Sequence, residues 1–290
     1  MSTFLLVAGI VLLIIAGFAA VYGRRQHRRS ALVETTETTD VRDIKAEGVV
    51  ELKGTIRADE PFDSPIKGKQ SALSAWEVEE WDERGDSEMW ETRATGVHTT
   101  PFELDDGTGR VRVNIGDYVS DPSSGTGIDE IQVGPIDVDR FLSNGVTVDN
   151  VLAAIEGFSV ETSVPPDAEP PERIKEFIQA EAGVTTQTDS ITNILDFGNK
   201  HGERRYYEGT LSPSDDIYLI GQVRAAEDAT YPLKPEDVVV TVPDSNQLII
   251  SDKSEKELVD SFSQYKYAYI VAILTAVTGL AALVAGSGIL

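Results

Sequence analysis

No cysteine occurs in the 290 residues. That absence excludes a disulfide framework, a thiol nucleophile and the thiolate ligands of a zinc ribbon or RING finger. Histidine is nearly as scarce. His27, His98 and His201 stand far apart, so a catalytic zinc site is not expected. Basic charge is also in short supply: 25 Lys+Arg face 49 Asp+Glu, for a formal net charge of −24. No HExxH run and no Ser-His-Asp constellation can be assembled, so hydrolysis has no positive support. No cofactor is expected.

The acids are spread along the chain. Between Ser30 and Tyr265 lie 20 basic residues and all 49 acidic ones, a net of −29. A field of that sign repels DNA, RNA and anionic headgroups, so a nucleic-acid partner is not expected. Only ten of the basic residues are lysine. This pattern reads as a haloarchaeal-type surface, where high salt screens the self-repulsion. A dedicated cation-binding surface is the alternative.

Charge is missing altogether from two stretches. Phe4–Tyr22 holds 19 uncharged residues and Tyr267–Leu290 holds 24. At about 1.5 Å per residue each covers close to the ~30 Å hydrocarbon core. The arginines of "GRRQHRR" follow the first stretch, whereas a cleaved signal peptide carries its charge in front, so a retained anchor is expected. Tyr265, Tyr267 and Tyr269 suit the interface before the second stretch, and "SEKE" (254–257) suits a helix start. The lipid bilayer is therefore an expected partner. Every Lys and Arg lies between the spans, which predicts a two-pass protein of the cell membrane, both termini outside and the central domain cytoplasmic. Ala16 with Ala20, and Ala282 with Gly286, have helix-contact spacing, and a homo-oligomer through the spans is one use for it. The expected layout is a first span (1–23), a basic and polar linker (24–46), a β-rich domain (47–252), and a juxtamembrane helix with the second span (253–290).

Between the spans the period switches to two. In "GVVELKGTIR", Val50, Leu52 and Ile56 share a face with Gly54, and Glu51, Lys53, Thr55 and Arg57 share the other. Gly54 reads as a bulge or a close backbone approach. Residues 71–81 and 89–97 read as a hairpin around "DERGDSE", and 101–116 as strand, turn and strand with Val111, Val113 and Ile115 inward. "DPSSGTG" and the Pro-rich 165–173 are loops. Ile174, Phe177 and Ile178 make one helical stripe in 172–183, ending at Gly183. Residues 216–223 are apolar on both faces and so central. Two further strands fall at 237–242 and 247–251. The expected fold is mainly β, an antiparallel barrel with an OB-like form as one version and one or two inserted helices, flanked by two transmembrane helices. A sandwich is the runner-up.

"DDGTGR" (105–110) lacks the Gly-Lys-Ser/Thr ending of a phosphate loop and reads as a hairpin turn. The pairs Asp105–Asp106 and Asp215–Asp216 offer carboxylates for a hard cation, but without ligand-loop spacing. Trp76, Trp81 and Trp90 suit cross-strand packing, with a ligand platform as the alternative. Arg204 and Arg205 beside Tyr206 and Tyr207 read as an ion-pair lock at a strand start, with an anion site as the alternative.

Taken in order, "VELKGTIRADEPFDSPIKGKQSALSAWEVEEW", "WETR", "PFELDDGTGRVRV" and "ERRYYEGTLSPSDDIYLIGQV" resemble the GIDE-type domain of the mitochondrial membrane-anchored ubiquitin ligases. The likeness runs from about Val49 to Val223. It is carried by Ser64, Pro65, Trp76, Trp90, Pro101, Phe102, Asp105, Glu203, Arg204, Arg205 and Tyr206. Family members place this domain between two spans and add a RING. The resemblance implies a partner-recognition module with protein partners, working in envelope protein quality control, and makes those residues its family-motif or partner-binding set. Ligase chemistry does not carry over, because a RING needs cysteine; the alternative is a membrane-bound enzyme, or a component or adaptor of a ubiquitin-ligase-like membrane system that supplies an enzyme on another chain. A small-molecule or lipid sensor using the barrel mouth is a further alternative. In the mitochondrial members the domain faces the intermembrane space, whereas the basic residues here predict cytoplasm.

Overall fold

The computed structural model describes residues 2–83, 89–120, 132–133, 136–137, 145–181, 184, 201–244 and 246–287. The centre of the "DERGDSE" turn, the "DPSSGTG" loop and Gly183 lie outside them. Four α-helices are described: α1 (Thr3–Thr35), α2 (Glu172–Ala180), α3 (Glu255–Phe262) and α4 (Tyr265–Ser287). The strands are β1 (Gly48–Arg57), β2 (Phe62–Asp63), β3 (Gln70–Ser71), β4 (Leu73–Asp82), β5 (Met89–Thr99), β6 (Phe102–Asp105), β7 (Arg110–Val113), β8 (Tyr118–Ser120), β9 (Gln132–Val133), β10 (Ile136–Asp137), β11 (Gly145–Val148), β12 (Val151–Ala154), β13 (Ser159–Val164), β14 (Arg204–Leu211), β15 (Asp216–Ala225), β16 (Val238–Thr241) and β17 (Leu248–Ser251). The chain forms two compact units, Met1–Thr35 with Ile128–Leu142 and Glu255–Leu290, and Thr36–Gly127 with Ser143–Ser254.

In the first unit α1 runs antiparallel to α4. The seam is made of small residues seven apart: Gly9, Ala16, Gly23 and Ser30 are buried on α1, and Ala272, Gly279 and Gly286 on α4. A heptad period keeps one face against a partner helix. A Cβ on Gly9 would stand 2.7 Å from Leu283 and 2.8 Å from the Gly279 carbonyl oxygen, so the backbones meet only because that atom is missing. The expected contact through Ala16 and Ala20 is corrected accordingly. Ala20 is exposed and Ala282 half-buried; only Ala16 and Gly286 of that set join the seam. Two helices, Thr3–Thr35 and the segment Glu255–Ser287, are apolar and long enough to cross a membrane. Phe4, Ile10, Ile14, Ile273 and Leu274 are exposed, the reverse of a core helix in water.

The expected linker at 24–46 also needs correcting. No Gly or Pro interrupts residues 24–35, and α1 continues through all four arginines to Thr35. Beyond it, Val41 and Ile44 are buried among the β residues, and Thr39 N donates to Glu51 O at 2.8 Å. The β unit therefore starts near Thr36 rather than at residue 47.

The centre of that unit is a closed ring of five strands. β1 pairs with β6, β6 with β7, β7 with β16, β16 with β15, and β15 back to β1. All pairings are antiparallel except β7 with β16, which is parallel. β15 is central, as its two apolar faces require. One edge takes β1 along Ile217–Val223, while the other takes β17 at Tyr218–Ile220 and β16 at Gln222–Ala225. β12 and β11 extend the β17 edge. Leu52, Ile56, Leu104, Val111, Val113, Leu219, Val223 and Val240 fill the interior, each burial contributing about 1.5–3 kcal/mol. Gly54 is a close approach, since a Cβ there would lie 2.6 Å from the Asp105 carbonyl oxygen. Glu51, expected on the outer face of β1, is instead 1% exposed and accepts the Tyr218 hydroxyl at 2.6 Å.

The chain between barrel strands builds a second sheet in the order β13-β14-β4-β5-β8. Hairpin β4–β5 comes from the β1–β6 connection, and β8, β13 and β14 come from the β7–β15 connection. Helix α2 lays Ile174 and Phe177 over one face of this sheet, beside Trp76, Val78, Ala94 and Tyr206.

Candidate functional site

Strand β4 reads "LSAWEVEEWD", and its first eight residues are all buried, Glu77, Glu79 and Glu80 included. Burying a carboxylate costs several kcal/mol unless charge and hydrogen bonds replace water. Strand β14 supplies the replacement, because its antiparallel register sets Arg204 opposite Glu80 and Glu208 opposite Trp76. Period two then places Arg204, Tyr206 and Glu208 on the face that carries Trp76, Val78 and Glu80.

Arg204 Nε lies 2.8 Å from Glu80 Oε2, with the two side chains 1% and 2% exposed. Arg93, from the bulge of β5, adds a guanidinium 3.4 Å from Glu80 Oε1. Burial pushes the Tyr206 phenol above its ordinary value, partly offset by the neighbouring Arg204 charge. Trp76 is fully buried, with Phe177 edge-on at 4.9 Å between centroids. Its ring lies across Gly96, where a Cβ would come within 2.3 Å of the indole.

Glu208, fully buried on this face, accepts four hydrogen bonds in place of water. Ser74 Oγ (2.7 Å) and Ile66 N (3.1 Å) donate to Oε1. Ser64 Oγ (3.0 Å) and Lys67 N (2.6 Å) donate to Oε2. The Ser64–Pro65 turn is thus fastened to β14 by a carboxylate from 144 residues away. Arg173 of α2 reaches the same turn, with Nη1 donating to Ser64 O at 3.3 Å.

On the opposite face the buried carboxylates are met by hydroxyls. Thr92 Oγ1 donates to Glu77 and the Tyr207 hydroxyl to Glu79, each at 2.8 Å. Toward the end of the β4–β5 hairpin Trp81 and Trp90 face one another at 5.4 Å, and the Arg205 guanidinium sits 3.9 Å above the Trp90 ring. These three side chains are half-buried. Glu203 acts through its backbone, accepting from Trp81 N at 2.8 Å, and His201 Nδ1 accepts from Glu83 N at 3.2 Å.

The motif residues therefore fall into three places. Ser64, Trp76, Arg204 and Tyr206 converge on the α2-covered face, with Pro65 half-buried in the turn. Trp90 and Arg205 meet at the hairpin end, and Glu203 precedes β14. Pro101, Phe102 and Asp105 belong to the barrel: Pro101 is exposed, Phe102 is 4% exposed in the core, and Asp105 faces Arg110 and Arg57 at 3.2 and 3.6 Å. The Asp105 carboxyl is held below its usual value, first by the Gly107 amide and then by Arg110. "DDGTGR" is the β6–β7 turn. Asp106 there accepts from Val41 N at 2.7 Å, Thr108 N at 2.8 Å and Gly109 N at 3.0 Å, which fastens the start of the unit to the barrel. Asp215 and Asp216 accept from Ser212 N and Thr55 Oγ1. Among the described residues no group of three or more His, Asp and Glu is placed to hold a metal ion.

Glu208, Ser74 and His98 are the residues that sequence reasoning passed over. The signal for Glu208 was present, since alternation from Arg204 and Tyr206 puts a carboxylate at the next inward position. His98 stands on the same face, 6.0 Å from the Trp76 ring, with Nε2 3.0 Å from Glu181 and Nδ1 3.7 Å from Asp117. Burial opposes its charge, but Glu181 and then Asp117 outweigh it, and its pKa is raised above 6.5. The resulting stabilisation is complete below that ordinary value and is lost as pH rises through the raised one. Unfolding midpoints are therefore expected to fall with rising pH above about 6.5, and His98→Gln is expected to flatten that slope. Urea titrations of both proteins at several pH values check this; an unchanged slope in the variant contradicts it.

Comparison with protein-family models, with curated proteins and with solved structures finds no match for this chain.

Proposed function

We propose that this chain is a membrane-tethered protein-recognition or scaffold module of the GIDE type. The observation that carries the reading is the division of labour within the motif set. Ser64, Trp76, Arg204 and Tyr206 are consumed in holding the second sheet, while Trp90 and Arg205 stay half-exposed beside Trp81. Trp and Arg are the side chains that dominate the energetics of protein interfaces, and a rigid sheet beneath them lowers the ordering cost of binding. On this reading the barrel is OB-like, which its closed five-strand ring with one parallel pair supports. The −29 carried between Ser30 and Tyr265 argues against an oligonucleotide as its ligand and suits a surface adapted to high salt. The central unit lies on the cytoplasmic side, as the arginines at 24, 25, 28 and 29 indicate.

In-cell crosslinking with mass spectrometry, performed in high salt, tests the reading. A membrane-permeant reagent is expected to recover a reproducible set of proteins that Trp90→Ala reduces several-fold. Finding no protein partner, or an unchanged set from the variant, would sink the recognition role. Capture through the central unit by an impermeant reagent on intact cells would overturn the cytoplasmic placement.

A further inference from the structure

One end of the helical unit carries a charge pattern unlike the rest of the chain. No Asp or Glu precedes Glu34 and none follows Asp260, yet Arg24, Arg25, Arg28, Arg29 and Lys266 fall within those limits. Because α1 is helical throughout, these arginines hold fixed directions. Arg29 turns inward and is 8% exposed. Arg24 and Arg28 lie one turn apart on one face, both exposed, and neither makes an ion pair among the described residues. In a protein with 49 carboxylates, two adjacent guanidiniums without a carboxylate are out of the ordinary.

Their depth is set by the helix. Arg24 follows Thr3 by 21 residues, which is roughly 32 Å of helix and places it at the edge of a ~30 Å hydrocarbon layer. The antiparallel partner shows which residues share that level. Gly23 abuts Tyr269, and the His27 ring lies 4.8 Å from that of Tyr265. Lys266 and Tyr267 therefore lie at the level of residues 24–27, both exposed, Tyr267 by 72%, with Lys266 Nζ 5.6 Å from the centre of the Tyr265 ring. A tyrosine at this depth presents its phenol to the headgroups.

We propose that Arg24 and Arg28, with Lys266 and Tyr267 at the same level, bind the phosphate of an anionic phospholipid headgroup. Paired guanidinium forks match phosphate oxygens, and the low dielectric at the interface strengthens the contact. The inference rests on the reading of α1 and α4 as membrane spans. It asks more than the orienting role of basic residues, which needs charge during insertion but no retained lipid.

The test is native mass spectrometry of the full chain, purified in detergent with phosphatidylglycerol and phosphatidylcholine of matched acyl chains. Phosphatidylglycerol is expected to be retained over phosphatidylcholine by about tenfold. Arg24→Gln with Arg28→Gln is expected to bring the two to parity, Arg24→Lys with Arg28→Lys to give an intermediate preference, and Arg42→Gln in the β unit to change nothing. Equal retention by the wild type, or an undiminished preference in the double glutamine variant, overturns the site. Displacement of the lipid by millimolar inorganic phosphate would make it a site for soluble anions and overturn the lipid source. Failure of the wild type to stay with pure phosphatidylcholine vesicles in alkaline carbonate would instead overturn the membrane reading, and the site with it.

Discussion

Arg204→Met is expected to destabilise the β unit by about 3 kcal/mol, with Glu80 left as the cause. The pair is almost dry, at 1% and 2% exposure, and removing one partner strands the other charge. The expected value sits at the low end of the range for broken buried pairs, because Arg93 remains 3.4 Å from Glu80. Replacing both partners is a different experiment. Arg204→Met with Glu80→Leu removes the desolvation cost together with the attraction, and is expected to recover most of the loss. Urea titrations of the detergent-solubilised full chain, arranged as a double-mutant cycle, measure the coupling directly. A single variant within about 0.5 kcal/mol of wild type, the size of an ordinary surface substitution, would show that the pair holds nothing.

Glu208→Gln is expected to cost about 2–4 kcal/mol although it changes one atom and no shape. The carboxylate accepts four hydrogen bonds, two at each oxygen. An amide keeps one oxygen, enough for Ser74 and Ile66, and turns its NH2 toward Ser64 and Lys67. The Ser64 hydroxyl can rotate and accept, but the Lys67 N–H has no second role and is left facing a donor. The loss therefore concentrates in the Ser64–Lys67 turn. Glu208→Asp keeps the charge one methylene short, and an intermediate loss is expected. Denaturation with hydrogen exchange on peptides covering 64–67 reads both effects. A loss below about 0.5 kcal/mol, with unchanged exchange, would mean that the turn is held by other contacts.

Much of this arrangement was legible in the sequence, and the failures have physical causes. Period-two patterning found β1, β4, β5, β6, β7, β15, β16 and β17, because each has at least one apolar face to bury. It found the centrality of β15 from the same source, since a strand apolar on both faces must be covered on both. The two long apolar helices were equally plain. What it missed are elements whose burial is supplied by distant chain. Glu51, Glu77, Glu79 and Glu80 look like solvent-facing residues, yet each is buried by partners up to 167 residues away. Charge alone cannot reveal this, since a paired glutamate and a solvated one are spelled alike. The stretch 24–46 was misread for a related reason: polar residues suggested a linker, while α1 and the Val41–Ile44 anchor are held by contacts made much later in the chain. That a guanidinium here meets a carboxylate was legible for Arg204, but its place was not: the cluster lies within β14 of the second sheet rather than at the entry to β15, and Arg205 lies over the Trp90 ring. The Glu208 cradle was not legible, because all four of its donors are neutral groups, two hydroxyls and two backbone amides, of unremarkable sequence.

The central claim of the proposal is that Ser64, Trp76, Arg204 and Tyr206 build a rigid sheet and leave Trp90 and Arg205 for recognition. Hydrogen exchange across the wild type, Arg204→Met and Glu208→Gln, all in the 290-residue chain, tests it most directly. The β4 and β14 amides are expected to be among the slowest in the wild type. Both variants should speed exchange in β4, β14 and residues 64–67 while leaving α1 and α4 unchanged. Wild-type exchange in both variants, accompanied by lost partner capture, would contradict the account and make those residues part of the binding surface itself.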